Sequence, residues 1–301
     1  GVTIISASIN GNSVTLRVSG IKEGAAYTLT AKNIADAAGN AGSSSMDFAY
    51  FLGFRYFESF EEYNPGTVSG AYGGLGGWGG PWNGNSTVVD VSQSPLSYGG
   101  IKGGARALAV SNATIGATRV LGTAPSLAAG AIPVWISFLM RGDPAYAFTH
   151  GDGFWIHTTS GNYDWGYVGM IVDSSGGDFI ASDYYKSASK GGPEFTAGRT
   201  YLVVARLKRD SMSLWIDPPG ESAQPQVRHG KCFTQFPGIG LSNRAKNRNA
   251  TPFVVDRIVI GQSFASVISG VDGNQATFAD RVTHPHRTGL QLRIDGHGDR
   301  L

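Results

Sequence analysis

Residues Phe154 to Tyr185 bring together Trp155, Tyr163, Trp165, Tyr167, Phe179, Tyr184 and Tyr185. Interleaved with them are Asn162, Asp164, Asp173, Asp178, Asp183 and Lys186. Aromatic faces accept the C–H surface of pyranose rings, and carboxylates or amides hold sugar hydroxyls, so saccharide sites combine the two. Residues 154–157 and 166–172 are apolar at alternate positions, which assigns much of this aromatic set to a core. Tyr163, Asp164 and Trp165 lie between those two strands and are the expected surface contacts, with Tyr184 a further candidate. Asp164, Asp173 and Asp178 are candidate oxygen ligands for a structural calcium ion.

A second aromatic cluster, Trp78 and Trp82, sits in the glycine run from Gly73 to Gly84. Gly74-Leu75-Gly76-Gly77-Trp78-Gly79 spells the dinucleotide-binding pattern, but that chemistry needs a helix N-terminus facing a pyrophosphate. Gly80-Pro81-Trp82 follows instead, which excludes it. Two roles remain open for these tryptophans: plugging the core where glycine lets the chain pass close under their rings, or stacking on a sugar.

The composition bounds the rest. The 301 residues include 44 glycines, 24 basic and 22 acidic side chains, for a net charge of +2. Without a broad basic field, nucleic acid and anionic membranes are not expected partners. No run of 18 apolar residues occurs, so no membrane-spanning helix is expected. The lone Cys232 and six scattered histidines exclude a disulfide framework and a thiolate zinc site.

The elements follow from period-two alternation, since no window of twelve residues shows a convincing helical period. Residues 1–47 form a first module. Ile5, Ala7 and Ile9 lead through a turn at Asn10-Gly11-Asn12 to Val14, Leu16 and Val18, a hairpin, and Tyr27, Leu29 and Ala31 make a third strand. Ser43-Ser44-Ser45 is an expected linker. Val134 to Met140 is apolar on both faces and is expected at the centre of a sheet. Leu202, Val204 and Leu207 lie opposite Arg206 and Lys208 only if a bulge intervenes. Residues 269–301 hold little that could form a core and are read as a linker or tail. This is an all-β chain whose middle portion, 52–268, is long enough for two antiparallel sheets packed face to face.

Two family resemblances agree with that organisation. Gly24-Ala25-Ala26-Tyr27-Thr28-Leu29-Thr30 and Asp36-Ala37-Ala38-Gly39-Asn40 resemble the closing part of a bacterial Ig-like domain, which implies a partial module severed at its N-terminus. Tyr56 to Tyr63, Pro65-Gly66 and the glycine run up to Trp82 resemble the opening of the concanavalin-like (laminin-G-like) jelly rolls of secreted bacterial proteins. Segments 103–108, 134–141, 166–170, 199–207, 213–218, 238–241 and 253–261 continue the resemblance in the same order. It implies a two-sheet jelly-roll sandwich in a modular extracellular or cell-surface protein, with further domains in the parent chain. It also implies a polysaccharide or surface glycan as partner.

The catalytic motifs of that fold are missing. Its glucanases carry Glu-x-Asp-x-x-Glu on one strand so that the carboxylates share a face. Here the nearest carboxylates, Glu58, Glu61 and Glu62, have the wrong spacing and read as structural or solvated. Polysaccharide lyases of this fold use a Tyr/His pair with Arg or Gln. His150, His157 and Tyr167 supply ingredients without the strand motifs, and His157 falls on the opposite face from Phe154. No Gly-x-Ser-x-Gly elbow occurs, and His229-Gly230-Lys231-Cys232 lacks a strand-turn-helix setting. Asp295-Gly296-His297-Gly298-Asp299 lacks the remaining ligands of a calcium loop. No catalytic residue is assigned. The expected function is non-catalytic carbohydrate binding or adhesion; the alternatives are a ligand-free spacer, and a lyase or hydrolase of unrecognised type. Three or more exposed aromatics with a carboxylate on the concave face would favour binding, whereas a smooth face packed with Ser, Thr and Val would favour the spacer.

Overall fold

A computed structural model describes residues 2–10, 13–22, 25–35, 41–49, 56–111, 113–128, 130–158, 166–173, 176–183, 187–230, 235–245, 251–268 and 290–295. The chain divides into two compact units, Gly1–Phe51 with Val271–Leu301, and Leu52–Gly270.

The first unit opens with β1 (Thr3–Asn10), β2 (Ser13–Ser19), β3 (Ala26–Ala35) and β4 (Ala41–Ala49). The second begins with β5 (Tyr56–Glu58), β6 (Gly66–Thr67), β7 (Asn83–Gly84), β8 (Thr87–Asp90), β9 (Ser97–Tyr98) and β10 (Ile101–Lys102). Then come β11 (Arg106–Ala109), β12 (Ala113–Val120), β13 (Val134–Gly142), β14 (Gly153–Thr158), β15 (Gly166–Asp173), β16 (Gly176–Asp183) and β17 (Ser187–Gly191). It closes with β18 (Thr200–Lys208), β19 (Ser211–Ile216), β20 (Val227–His229), β21 (Gly238–Arg244), β22 (Phe253–Gly261) and a short helix α1 (Phe264–Ile268). A last strand, β23 (Leu290–Asp295), returns to the first unit.

In the first unit β1 and β2 form the expected hairpin, but a bulge between Ile4 and Ser6 changes which residues align. Ile4, Ala7 and Ile9 stand opposite Val18, Leu16 and Val14, and Ile5 drops out of the series. The supposed linker Ser43-Ser44-Ser45 is part of β4, because it continues the alternation that sets Met46 against Leu29 and Phe48 against Tyr27. The supposed tail is also partly a strand: Leu290, Leu292 and Ile294 of β23 align with Val18, Leu16 and Val14 of β2. A three-residue apolar alternation is enough to extend a sheet when a matching strand is exposed beside it.

The second unit is an all-β, two-sheet antiparallel sandwich of the jelly-roll kind. One sheet has the order β20-β19-β18-β13-β22-β11-β8-β6, with β5 also pairing β22; the other runs β17-β16-β15-β14-β21-β12-β7. The core between them is a single cluster that includes Phe138, Phe154, Phe179, Tyr201, Phe236 and Phe253. β13 is central and buried on both faces, as its sequence requires. β18 contains no bulge: Val203, Ala205 and Leu207 face the core while Leu202 and Val204 face a second apolar cluster on the opposite side. Arg206 shares that second side, where its guanidinium lies 5.6 Å from the Trp135 ring and 5.5 Å from that of Trp215. The bulge belongs to the partner strand β22, where Arg257 adopts a φ of 53° and the register against β13 shifts. Leu96, Ile101 and α1 residues Phe264 and Val267 cover this outer side of the nine-stranded sheet. The seven-stranded sheet is different. Its outward face carries the candidate site.

Candidate functional site

Register alone places the outward residues of the seven-stranded sheet. Phe154, Ile156, Val168, Met170, Phe179, Ala181, Ile239 and Leu241 point into the core, so their neighbours along each strand point out. Three rows result. The first runs Arg244, Gly153, Ile171, Asp178; the second Ser242, Trp155, Gly169, Ile180, Lys190; the third Gly240, His157, Tyr167, Ser182, Ala188.

Glycine makes room for the rings on this face. A Cβ at Gly169, directly across from Trp155, would lie 2.7 Å from the Trp155 Cβ, and one at Gly153 would lie 2.8 Å from its ring. Trp155 and Tyr167, both half-buried, stack with centroids 5.4 Å apart and planes at 29°. Arg244 is exposed and holds its guanidinium 5.5 Å from the centre of the Trp155 ring, within cation–π range. His157 lies over Gly240, where a Cβ would come 2.1 Å from the imidazole. It is buried, its Nδ1 is 3.1 Å from the Thr158 carbonyl, and burial holds its pKa below the usual histidine value.

The residues singled out from sequence separate into three groups. Tyr163, Asp164, Trp165 and Tyr184 lie outside the described residues, as does Cys232. Asp173 and Asp178 sit on opposite arms of the β15–β16 hairpin, where Asp173 aligns with Gly176 and Asp178 with Ile171. Among the described residues no group of three His, Cys, Asp or Glu side chains comes together.

Trp82 lies in the core and Trp78 packs against it. Trp82 is fully buried, which removes its face from any sugar, and its Nε1 donates to Glu58 Oε2 at 3.0 Å. Trp78 is half-buried, stands 5.3 Å from Tyr56, and has the Arg119 guanidinium 4.6 Å from its ring centre. Arg119 pairs with Glu58, and donates to the Gly73 carbonyl at 2.6 Å and the Gly80 carbonyl at 3.1 Å. Tyr63 completes the cluster with a 2.7 Å bond to Glu58 Oε2. Burial pushes the Glu58 carboxyl upward while its four donors oppose that shift. Gly74, at φ 70°, passes so close that a Cβ would lie 2.9 Å from Trp78 Nε1. The glycine run thus closes one end of the sandwich around a buried ion pair.

Three further carboxylates, Glu61, Glu62 and Asp256, are also spent on structure. Glu62 accepts from Gly74 N at 3.0 Å and Glu61 from Arg106 N at 2.7 Å. Fully buried Asp256 accepts from Gly104 N at 3.0 Å and Arg257 N at 2.6 Å, and burial pushes its pKa up to about 8. His229 has Nδ1 3.3 Å from Ser189 Oγ. The feature that sequence reasoning passed over is the outward pair Trp155–Tyr167 with Arg244. Its signal was present in the alternation of Trp155 against Phe154 and in the glycines at 153, 169 and 240.

No family model matches this chain, and no curated protein matches it. Among solved structures it is similar to the receptor binding domain of botulinum neurotoxin D, at 9% identity and a TM-score of 0.39 over 59% of this chain and 44% of that one. A sialidase of Trypanosoma rangeli is 12% identical with a TM-score of 0.38, over 71% of this chain and 32% of that one. Domain 4 of an extracellular arabinanase from Geobacillus stearothermophilus, solved with arabinotriose, is 15% identical with a TM-score of 0.37, over 69% and 91%. The chain thus spans less than half the length of the toxin and sialidase structures.

Proposed function

We propose that this chain is a non-catalytic saccharide-binding module and that its site is the outward face of the seven-stranded sheet. The observation that carries the reading is the stacked, half-buried pair Trp155 and Tyr167, standing on a glycine floor away from the core. Two adjoining rings offer an apolar platform of the size of a pyranose, and Asp178, outward in the adjoining row, supplies a carboxylate acceptor on the same face. β14 ends at Thr158 and β15 begins at Gly166, with His157 and Tyr167 paired near that end, and Tyr163, Asp164 and Trp165 lie between the two strands in sequence. The segment bearing Tyr184 follows β16 at that same end. Tyr163, Asp164, Trp165 and Tyr184 are the proposed source of specificity. The resemblance of residues 52–268 to secreted jelly rolls supports an extracellular or cell-surface setting, within a larger modular chain, and an adhesive role.

Glycan-array screening followed by calorimetry, with and without calcium, tests the reading. Saccharide binding is expected, and loss of affinity on removing calcium would implicate Asp164, Asp173 or Asp178. Silence across both methods, with the fold intact by circular dichroism, would contradict the module and favour a ligand-free spacer.

One observation favours a second reading, a polysaccharide lyase: His157 and Tyr167 stand directly opposite each other on β14 and β15. The burial of His157 weighs against it. Release of unsaturated products from a polyuronate would establish that reading.

A further inference from the structure

Arg244 is the one basic side chain brought against the Trp155–Tyr167 platform whose charge is unanswered among the described residues. It is exposed, donates no hydrogen bond and makes no ion pair there, and its guanidinium is held 5.5 Å from the Trp155 ring centre. The carboxylate in its row, Asp178, is three strands away, roughly 14 Å at the usual spacing. A guanidinium on an aromatic face keeps its N–H fork directed outward and is only weakly hydrated, which suits it to planar anions. On the far side of the platform the second row ends in a further cation, Lys190.

We propose that the saccharide taken by this face is anionic, with a carboxylate or sulfate ester seated on Arg244 while the sugar ring lies against Trp155 and Tyr167. The proposal rests on the saccharide-binding reading and adds the ligand's charge class to it. An anion at this position receives two parallel N–H donors from Arg244, and the neutral counterpart leaves that fork in water.

The test is calorimetry of the full chain with oligogalacturonates, with the same oligomers as methyl esters, and with a sulfated and an unsulfated galactan series. The free uronate is expected to bind at least about tenfold more tightly than its methyl ester, a difference of about 1.4 kcal/mol. Arg244→Gln should abolish that ratio, and the exposed position keeps the fold intact. A charge preference confined to the sulfated series, and lost in Arg244→Gln, supports the proposal and assigns the anion to a sulfate ester. Equal affinity for charged and neutral oligomers, or a ratio that survives in Arg244→Gln, overturns the proposal and leaves saccharide binding standing. Failure of every oligomer to bind overturns both.

Discussion

The rings of Trp155 and Tyr167 stack 5.4 Å apart although they occupy diagonal rather than directly paired positions on β14 and β15. The residue directly opposite Trp155 is Gly169, and its missing side chain is what lets the indole reach Tyr167. Tyr167→Phe should therefore preserve saccharide affinity, because the ring is retained. Tyr167→Ala should weaken it roughly two- to tenfold, the range for losing one aromatic partner. Calorimetric titration of the two variants checks this, and equal affinities would dissociate Tyr167 from the site.

Gly169→Ala tests the floor of the platform. The added Cβ would lie 2.1 Å from the Phe154 carbonyl oxygen and 2.5 Å from Trp155 Cα, both backbone atoms. A loss of roughly 1–3 kcal/mol is expected, as for other overpacked sites, together with weaker saccharide binding. Urea denaturation supplies the first figure.

The buried Glu58–Arg119 pair sets the energetics of the glycine-rich end. Arg119→Met leaves the Glu58 carboxylate buried without its cation and should cost roughly 3–5 kcal/mol. The double substitution Glu58→Gln with Arg119→Met should recover part of that loss, since neither charge then needs a partner. Denaturant midpoints of the single and double variants measure the coupling, and additive losses would argue against the pair.

Asp256 makes stability depend on pH. Its folded pKa of about 8 lies well above the unfolded value of about 3.9, so the folded state retains a proton that the unfolded state releases. The stabilisation is complete below the unfolded value, declines as pH rises, and is lost once pH passes the folded value. Wild-type urea midpoints should fall between about pH 4 and about pH 8, and Asp256→Asn should flatten that slope. A slope unchanged in the variant would assign it to other groups.

The sandwich was legible because its central strands are apolar on both faces: Val134 to Met140 needs no partner information to be placed in a sheet interior. Boundaries were less legible where small or polar residues alternate with few apolar ones, as at Ser43 to Ser45 and Leu290 to Asp295, since only the partner strand completes the pattern. The bulge expected in β18 lies in β22 because the sequence shows an irregularity in a pairing without showing which strand carries it. For the site, the aromatic-rich stretch was visible, but which rings face outward depends on cross-strand glycines such as Gly169, 14 residues from Trp155. Arg244 was invisible for the same reason: 89 residues separate it from Trp155, and only the β14–β21 register brings them together.

The central claim is that the outward face of the seven-stranded sheet binds saccharide through Trp155. The direct measurement is side-by-side calorimetry of wild type and Trp155→Ala with whichever oligosaccharide the array selects. A loss of about tenfold or more, with unchanged circular dichroism, is the predicted result. Undiminished affinity in Trp155→Ala would place the site elsewhere and contradict the account.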